Sequence, residues 1–259
     1  MLDEHGQLSG AMQFSVIHRQ LVACSCLLVC AVIPGRGQTP SPSPLVTIEA
    51  VREKAAKGDA AAQFLVGRAY ATGRGLPFDE KKAVEWYTKA AEQNFADSQI
   101  ALGQIYFFGS STLTKDYAKA AHWFAAAADQ GRPVAQNALG ALYEDGLGVE
   151  VDVNKAAELY LKSAEQGDAK GQSNIGRFYT LGQGNLKANL PEAYKWLTLS
   201  ADQGEVTATE WMFEYRNLFT AEDKKAGIKL AHQFRAHKGS PTPLTAEAAV
   251  SSMPTAAPH

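Results

Sequence analysis

Cysteine is all but missing from this chain. Its three cysteines, Cys24, Cys26 and Cys30, sit together in one apolar stretch near the N-terminus. Everything downstream therefore lacks disulfides, thiolate metal sites and thiol nucleophiles, and a fold there is held by packing. An excess of one charge is missing too: 25 Lys and Arg stand against 27 Asp and Glu, for a formal charge of −2. Phosphate recognition leans on clustered Lys and Arg, and none stands out, so nucleic acid is excluded as a partner. The N-terminal apolar run "LVACSCLLVCAVI", residues 21–33, is shorter than the roughly 20 residues that a membrane-spanning helix needs.

That run follows His18 and Arg19 and is stopped by Pro34 and Gly35, which is the layout of a signal-peptide core. Residues 1–37 are read as an export signal, with Met12 as an alternative start and Ala31, Gly35 or Gly37 as cleavage points. "LVAC" ending at Cys24 resembles a bacterial lipobox. In a lipobox the apolar run precedes the cysteine, whereas here it follows, and Cys30 has the bulky Val29 before it; both features argue against a lipid anchor. The expected product is periplasmic or secreted, with no membrane span after cleavage. Residues 38–45 form a Pro and Ser linker, and residues 239–259, of similar composition, read as a disordered tail.

Between these ends the sequence repeats. "VGRAY" at Gly67, "LGQIY" at Gly103, "LGALY" at Gly140 and "IGRFY" at Gly176 share one frame. Gln63, Gln99, Gln136 and Gln172 precede those glycines by one helical turn; Tyr70, Tyr106, Tyr143 and Tyr179 follow them. Trp86, Trp123, Leu159 and Trp196 form another apolar column. A fixed period of this size marks a solenoid of units that cannot fold singly. Each unit reads as two helices. The first stops at Gly73, Gly109, Gly146 or Gly182; the second starts at Asp79, Asp116, Asp152 or Asn189 and closes at Asn94, Gly131, Gly167 or Gly204.

A glycine inside a helix costs roughly 1 kcal/mol relative to alanine, so its recurrence at one column points to close approach of a neighbouring helix. The pairs Gly73/Gly75, Gly146/Gly148 and Gly182/Gly184 follow a helix and recur, whereas a nucleotide loop follows a strand and occurs once per site. They read as turns. Together the motifs A-x-x-L-G-x-x-Y, G-x-G-V, D, K-A, W-Y, K-A-A and x-Q-G, fullest at residues 131–167, resemble the Sel-1-like repeat family of the tetratricopeptide superfamily. The resemblance implies an all-α, right-handed α-solenoid of about four repeats at 58–204, with a capping helix at 46–57 and capping helices at 205–238. Two departures bear on loop shape: "GSSTLTKD" replaces the Gly-x-Gly turn in the second unit, and Asn94 replaces a terminal glycine. Thr220 with Asp223 fits a capping box, and Ala226, Leu230, Ala231 and Phe234 make one apolar stripe.

Nothing in the chain specifies a reaction. His122, His232 and His237 have no ligand partner at HExxH spacing, and no GxSxG elbow occurs. No catalytic, cofactor or metal residues are assigned. Recognition is expected instead on first-helix positions that vary between units: Phe64, Ile100, Asn137 and Ser173, then Arg68, Gln104, Ala141 and Arg177. Arg68 and Arg177 with Asn137 and Asn174 would grip a peptide carboxylate or an anionic polymer. Phe107 and Phe108, beside the irregular turn, form a second patch with core packing as its rival reading. The family resemblance implies a monomeric, exported, non-catalytic adaptor for a protein or peptide partner on a concave face. It leaves open an envelope hydrolase, as described for cysteine-rich relatives whose cysteines are absent here, or an inhibitor of an envelope sensor or enzyme.

Overall fold

Helix boundaries follow from side chains that can accept or release a backbone hydrogen bond. The computed structural model describes residues 47–110 and 112–238; the segment read as an export signal, the linker, Ser111 and the tail lie outside the described residues. Among these residues there are eleven helices and no strand. After α1 (Ile48–Ala56) come four helix pairs: α2 (Ala60–Thr72) with α3 (Glu80–Ala91), α4 (Ala96–Phe108) with α5 (Tyr117–Asp129), α6 (Pro133–Asp145) with α7 (Val153–Glu165), and α8 (Ala169–Leu181) with α9 (Leu190–Ala201). Helices α10 (Val206–Glu214) and α11 (Ala221–Lys238) close the array.

Asp79, Asp116, Asp152 and Asn189 each accept a hydrogen bond from the backbone N–H three residues on, and so start the second helices. Their own N–H groups donate to the carbonyls of Tyr70, Tyr106, Tyr143 and Tyr179. The tyrosine column thus closes each turn with its backbone while its rings pack. Gly73, Gly146 and Gly182 end their helices in the left-handed conformation. The second glycine of the turn has a further reason: a Cβ on Gly148, at φ +71°, would lie 2.2 Å from the Tyr117 backbone. The loop therefore presses on the start of the preceding second helix, a packing role and no phosphate cradle.

Inside the units the mid-helix glycines let a side chain of the second helix lie against the first. A Cβ on Gly67 would stand 2.8 Å from the Tyr87 ring, on Gly103 2.6 Å from Phe124, on Gly140 2.9 Å from Tyr160 and on Gly176 2.8 Å from Leu197. Burial of these rings and chains, in water's place, offsets the weaker helix propensity of glycine.

Glutamines stitch the units together. Nε2 of Gln63, Gln99, Gln136 and Gln172 donates to the carbonyl of Ala55, Ala91, Ala128 and Ala164, in each case at the end of the preceding helix. Their Oε1 atoms accept from Gln93, Gln130, Gln166 and Gln203 at 2.7–2.8 Å. Both ends of each buried amide are therefore partnered, as burial requires.

The array closes where the pattern fails. Met212, buried, stands in the glycine column on α10, so no second helix can nest there. Helix α11 instead lies across α9, with Gly227 against Tyr194 and the Phe234 ring edge-on to Trp196 at 5.1 Å. Thr220 and Asp223 cap α11 reciprocally, backbone N–H to side chain in both directions at 3.0 and 3.1 Å.

Candidate interaction face

The first helices carry the positions that vary from unit to unit, and polar groups tie several of them to their successors. Arg132, just before α6, donates to Asp97 of α4 at 2.5 Å. Asn174 of α8 donates to Asn137 of α6 at 2.8 Å, and Arg177 of α8 donates to both Glu144 oxygens of α6 at 2.7 and 2.8 Å. The hydroxyls of Ser173 and Thr207 meet at 3.1 Å between α8 and α10.

These ties decide which expected recognition residues remain open. Arg68 and Gln104 are exposed; the Arg68 guanidinium stands 5.6 Å from the Phe64 ring centroid. Phe64 is half-buried and packs on Tyr87 and Phe95 at 5.6 and 5.5 Å. Asn137, Ile100 and Ala141 are half-buried, and Ser173 is buried. Asn174 and Arg177 differ from the expectation of an open stripe: each is only 7% exposed. The physical reason lies one unit earlier, where Asn137 and Glu144 supply an acceptor at the matching height. Arg177 also sits 4.9 Å from the Phe178 ring centroid and 5.6 Å from that of Trp211, and donates to Gln183 at 2.9 Å. It acts as a joint between units three and four.

Glu144 is saturated by this arrangement, since the Tyr160 hydroxyl donates to it as well, at 2.8 Å. Burial and then the Glu144 charge push the Tyr160 phenol well above its ordinary range. Burial works against the charge on Arg177, but Glu144 and Tyr160 outweigh it and hold its pKa above the usual value. Beside this set, Asp145 is pushed up to about 6, by burial first and then by Glu144, against an opposing pull from Arg177.

Besides Arg68 and Gln104, small and apolar groups stay accessible on the first helices. Val134 on α6 and Phe108 on α4 are 47% and 42% exposed; Ala101, Ala138 and Ala141 are half-buried. Phe108 meets Phe107 edge-on at 5.0 Å, and Phe107 packs on Tyr117, so of the expected aromatic patch only Phe108 faces solvent. Sequence reasoning did not single out Val134, Ala138 or Asp145; their spacing along one side of α6 was the available signal. His122 lies edge-on to Trp123 and is exposed, as are His232 and His237. Among the described residues no cluster of three or more His, Cys, Asp or Glu is placed to hold a metal ion, and no helix is long and apolar enough to cross a membrane.

A family model for the Sel1 repeat matches residues 60–95, 96–131, 133–168 and 169–205, more than half of the chain. Among solved structures the chain is similar to c5321, a protective antigen present in uropathogenic Escherichia coli strains displaying an SLR fold. The identity is 31% and the TM-score 0.63, with 74% of this chain and 41% of that one covered. It is similar also to a Sel1 repeat protein from Oxalobacter formigenes, at 32% identity and TM-score 0.58, with coverage of 64% and 48%. The chain thus spans less than half the length of both. No curated protein matches it.

Proposed function

The chain belongs to the Sel1 repeat family, and from that premise we propose that it is an exported, non-catalytic scaffold that holds a protein or peptide segment on its first-helix face. Repeats of this kind generally serve protein–protein interaction, and solenoids offer extended surfaces for it. The observation that carries the reading is the stripe of Val134, Ala138 and Ala141 along one side of α6, the first exposed and the alanines half-buried, with the exposed Gln104 at the matching level of α4. Accessible apolar groups that line up on one side of a helix mark an interaction site better than scattered ones do. Export rests on residues 1–37, with their short apolar core and stop at Pro34.

A photo-crosslinking amino acid at Gln104 tests the face, with the same group at Glu158, exposed on second helix α7, as reference. The expected result is one discrete product from position 104, suppressed by excess unlabelled protein and absent from position 158. Identical products from both positions, or none from 104, would remove the first-helix face as the site.

A further inference from the structure

Along one side of α6, Val134, Ala138, Ala141 and Asp145 follow one another at helical spacing, the last three half-buried. The stripe ends on a carboxylate without a partner of its own. Among the described residues, Arg177 and Tyr160 both bond Glu144 and Arg177 donates also to Gln183, while none of these bonds or ion pairs goes to Asp145. Two neighbouring carboxylates therefore share a single guanidinium, and one negative charge is left over. The charged and titratable groups around Asp145 are Glu144 on its own helix, Tyr160 from α7 and Arg177 from α8; Tyr215, beyond α10, faces Arg177.

We propose that this stripe docks a partner segment that lays apolar side chains along Val134, Ala138 and Ala141 and sets a lysine or arginine against Asp145. The proposal deepens the scaffold reading and rests on it. Charge complementarity selects the occupant. A half-buried carboxylate beside another one is unfavourable until a cation joins it, and among the described residues the single guanidinium within reach already gives its Nη2 to both Glu144 oxygens and its Nη1 to Gln183. An anionic polymer or a peptide carboxylate would meet the surplus negative charge and be repelled. The alanines keep the stripe shallow, so a backbone can come close while the long aliphatic stem of Lys or Arg covers the apolar floor. Since burial and Glu144 bring Asp145 up to about 6, the docking site is charged above that pH and loses its charge below it.

The test selects 16-residue peptides from a random display library on the full-length chain at pH 7.5. Peptides are then sorted by whether Ala141→Arg, or Ala138→Gln as a second blocking variant, abolishes binding; circular dichroism melts verify that each variant is folded. Blocked peptides are expected to carry Lys or Arg, to lose about tenfold in affinity on Asp145→Asn, and to weaken similarly between pH 7.5 and 5. Glu158→Gln, on a second helix, should leave binding unchanged. Blocked peptides that lack a basic residue or ignore Asp145→Asn would overturn the proposed chemistry while leaving the face as a docking surface. If no peptide is blocked by either variant, the face does not dock peptides, and the scaffold reading falls with the proposal.

Discussion

A methyl group added at position 140 would stand 2.9 Å from the Tyr160 ring. That ring has nowhere to go: Tyr160 is 1% exposed, its hydroxyl is bonded to Glu144, and Phe178 meets it edge-on at 5.3 Å. Alanine gains about 1 kcal/mol in helix propensity, while overpacking a filled core costs about 1–3 kcal/mol. Gly140→Ala is therefore expected to destabilise the chain by about 1 kcal/mol in urea unfolding; a stabilised variant would show that the glycine column has another cause. Side-chain identity at one column was less informative about exposure. Arg68 and Arg177 share a column, yet one is open and the other buried. The difference lies 33 residues upstream, where Glu144 waits for Arg177, while the matching place before Arg68 falls ahead of α1. Recognition residues read from single columns miss this, because a solenoid residue's environment is set jointly by its own unit and the one before.

At the scale of helices, caps and turns were legible because their chemistry is local. Asp79, Asp116, Asp152 and Asn189 act through a backbone group three residues away, which any window of sequence contains. The glutamine ladder was half legible. The column from Gln63 to Gln172 stood out, but its donors, Gln93 to Gln203, lie 30–31 residues further on and become partners only once helices pair. Helix α6 carries a pH dependence of its own. The folded-state pKa of Asp145, about 6, lies above the unfolded value of 3.8. The native state therefore binds this proton more tightly, and stability falls as pH rises through the interval between the two. Solvent screens the half-exposed carboxyl, so the effect is about 1 kcal/mol or less. Asp145→Asn is expected to raise the melting temperature at pH 7.5 and to leave it unchanged near pH 4. An equal gain at both pH values would mean that carboxylate charge is not the cause.

For the whole molecule, four units in one frame made the all-α solenoid readable before any contact was known, since a repeated pattern leaves one packing that satisfies every copy. Closure at the C-terminal end was readable only in part. The apolar stripe of α11 was visible, but its seat across α9, through Gly227 and Tyr194, depends on α10 failing to accept a second helix. Deleting residues 220–238 is expected to uncover Trp196 and leave the buried Asp202 side chain without Arg235, its ion-pair partner. Light scattering after gel filtration should then report self-association, and an unchanged monodisperse species of equal stability would show that α11 is no cap. The glutamine ladder carries one more consequence. Each of the four junctions from α1 to α8 uses the same three groups: an alanine carbonyl, an amide that donates to it, and a second amide from which the first accepts. Such couplings are interchangeable, like identical fittings on lengths of pipe. Splicing in a tandem copy of residues 133–168 keeps the eight-residue step from alanine carbonyl to glutamine and would give each new boundary a mate it already fits, so nothing in these joints limits the reach of the array.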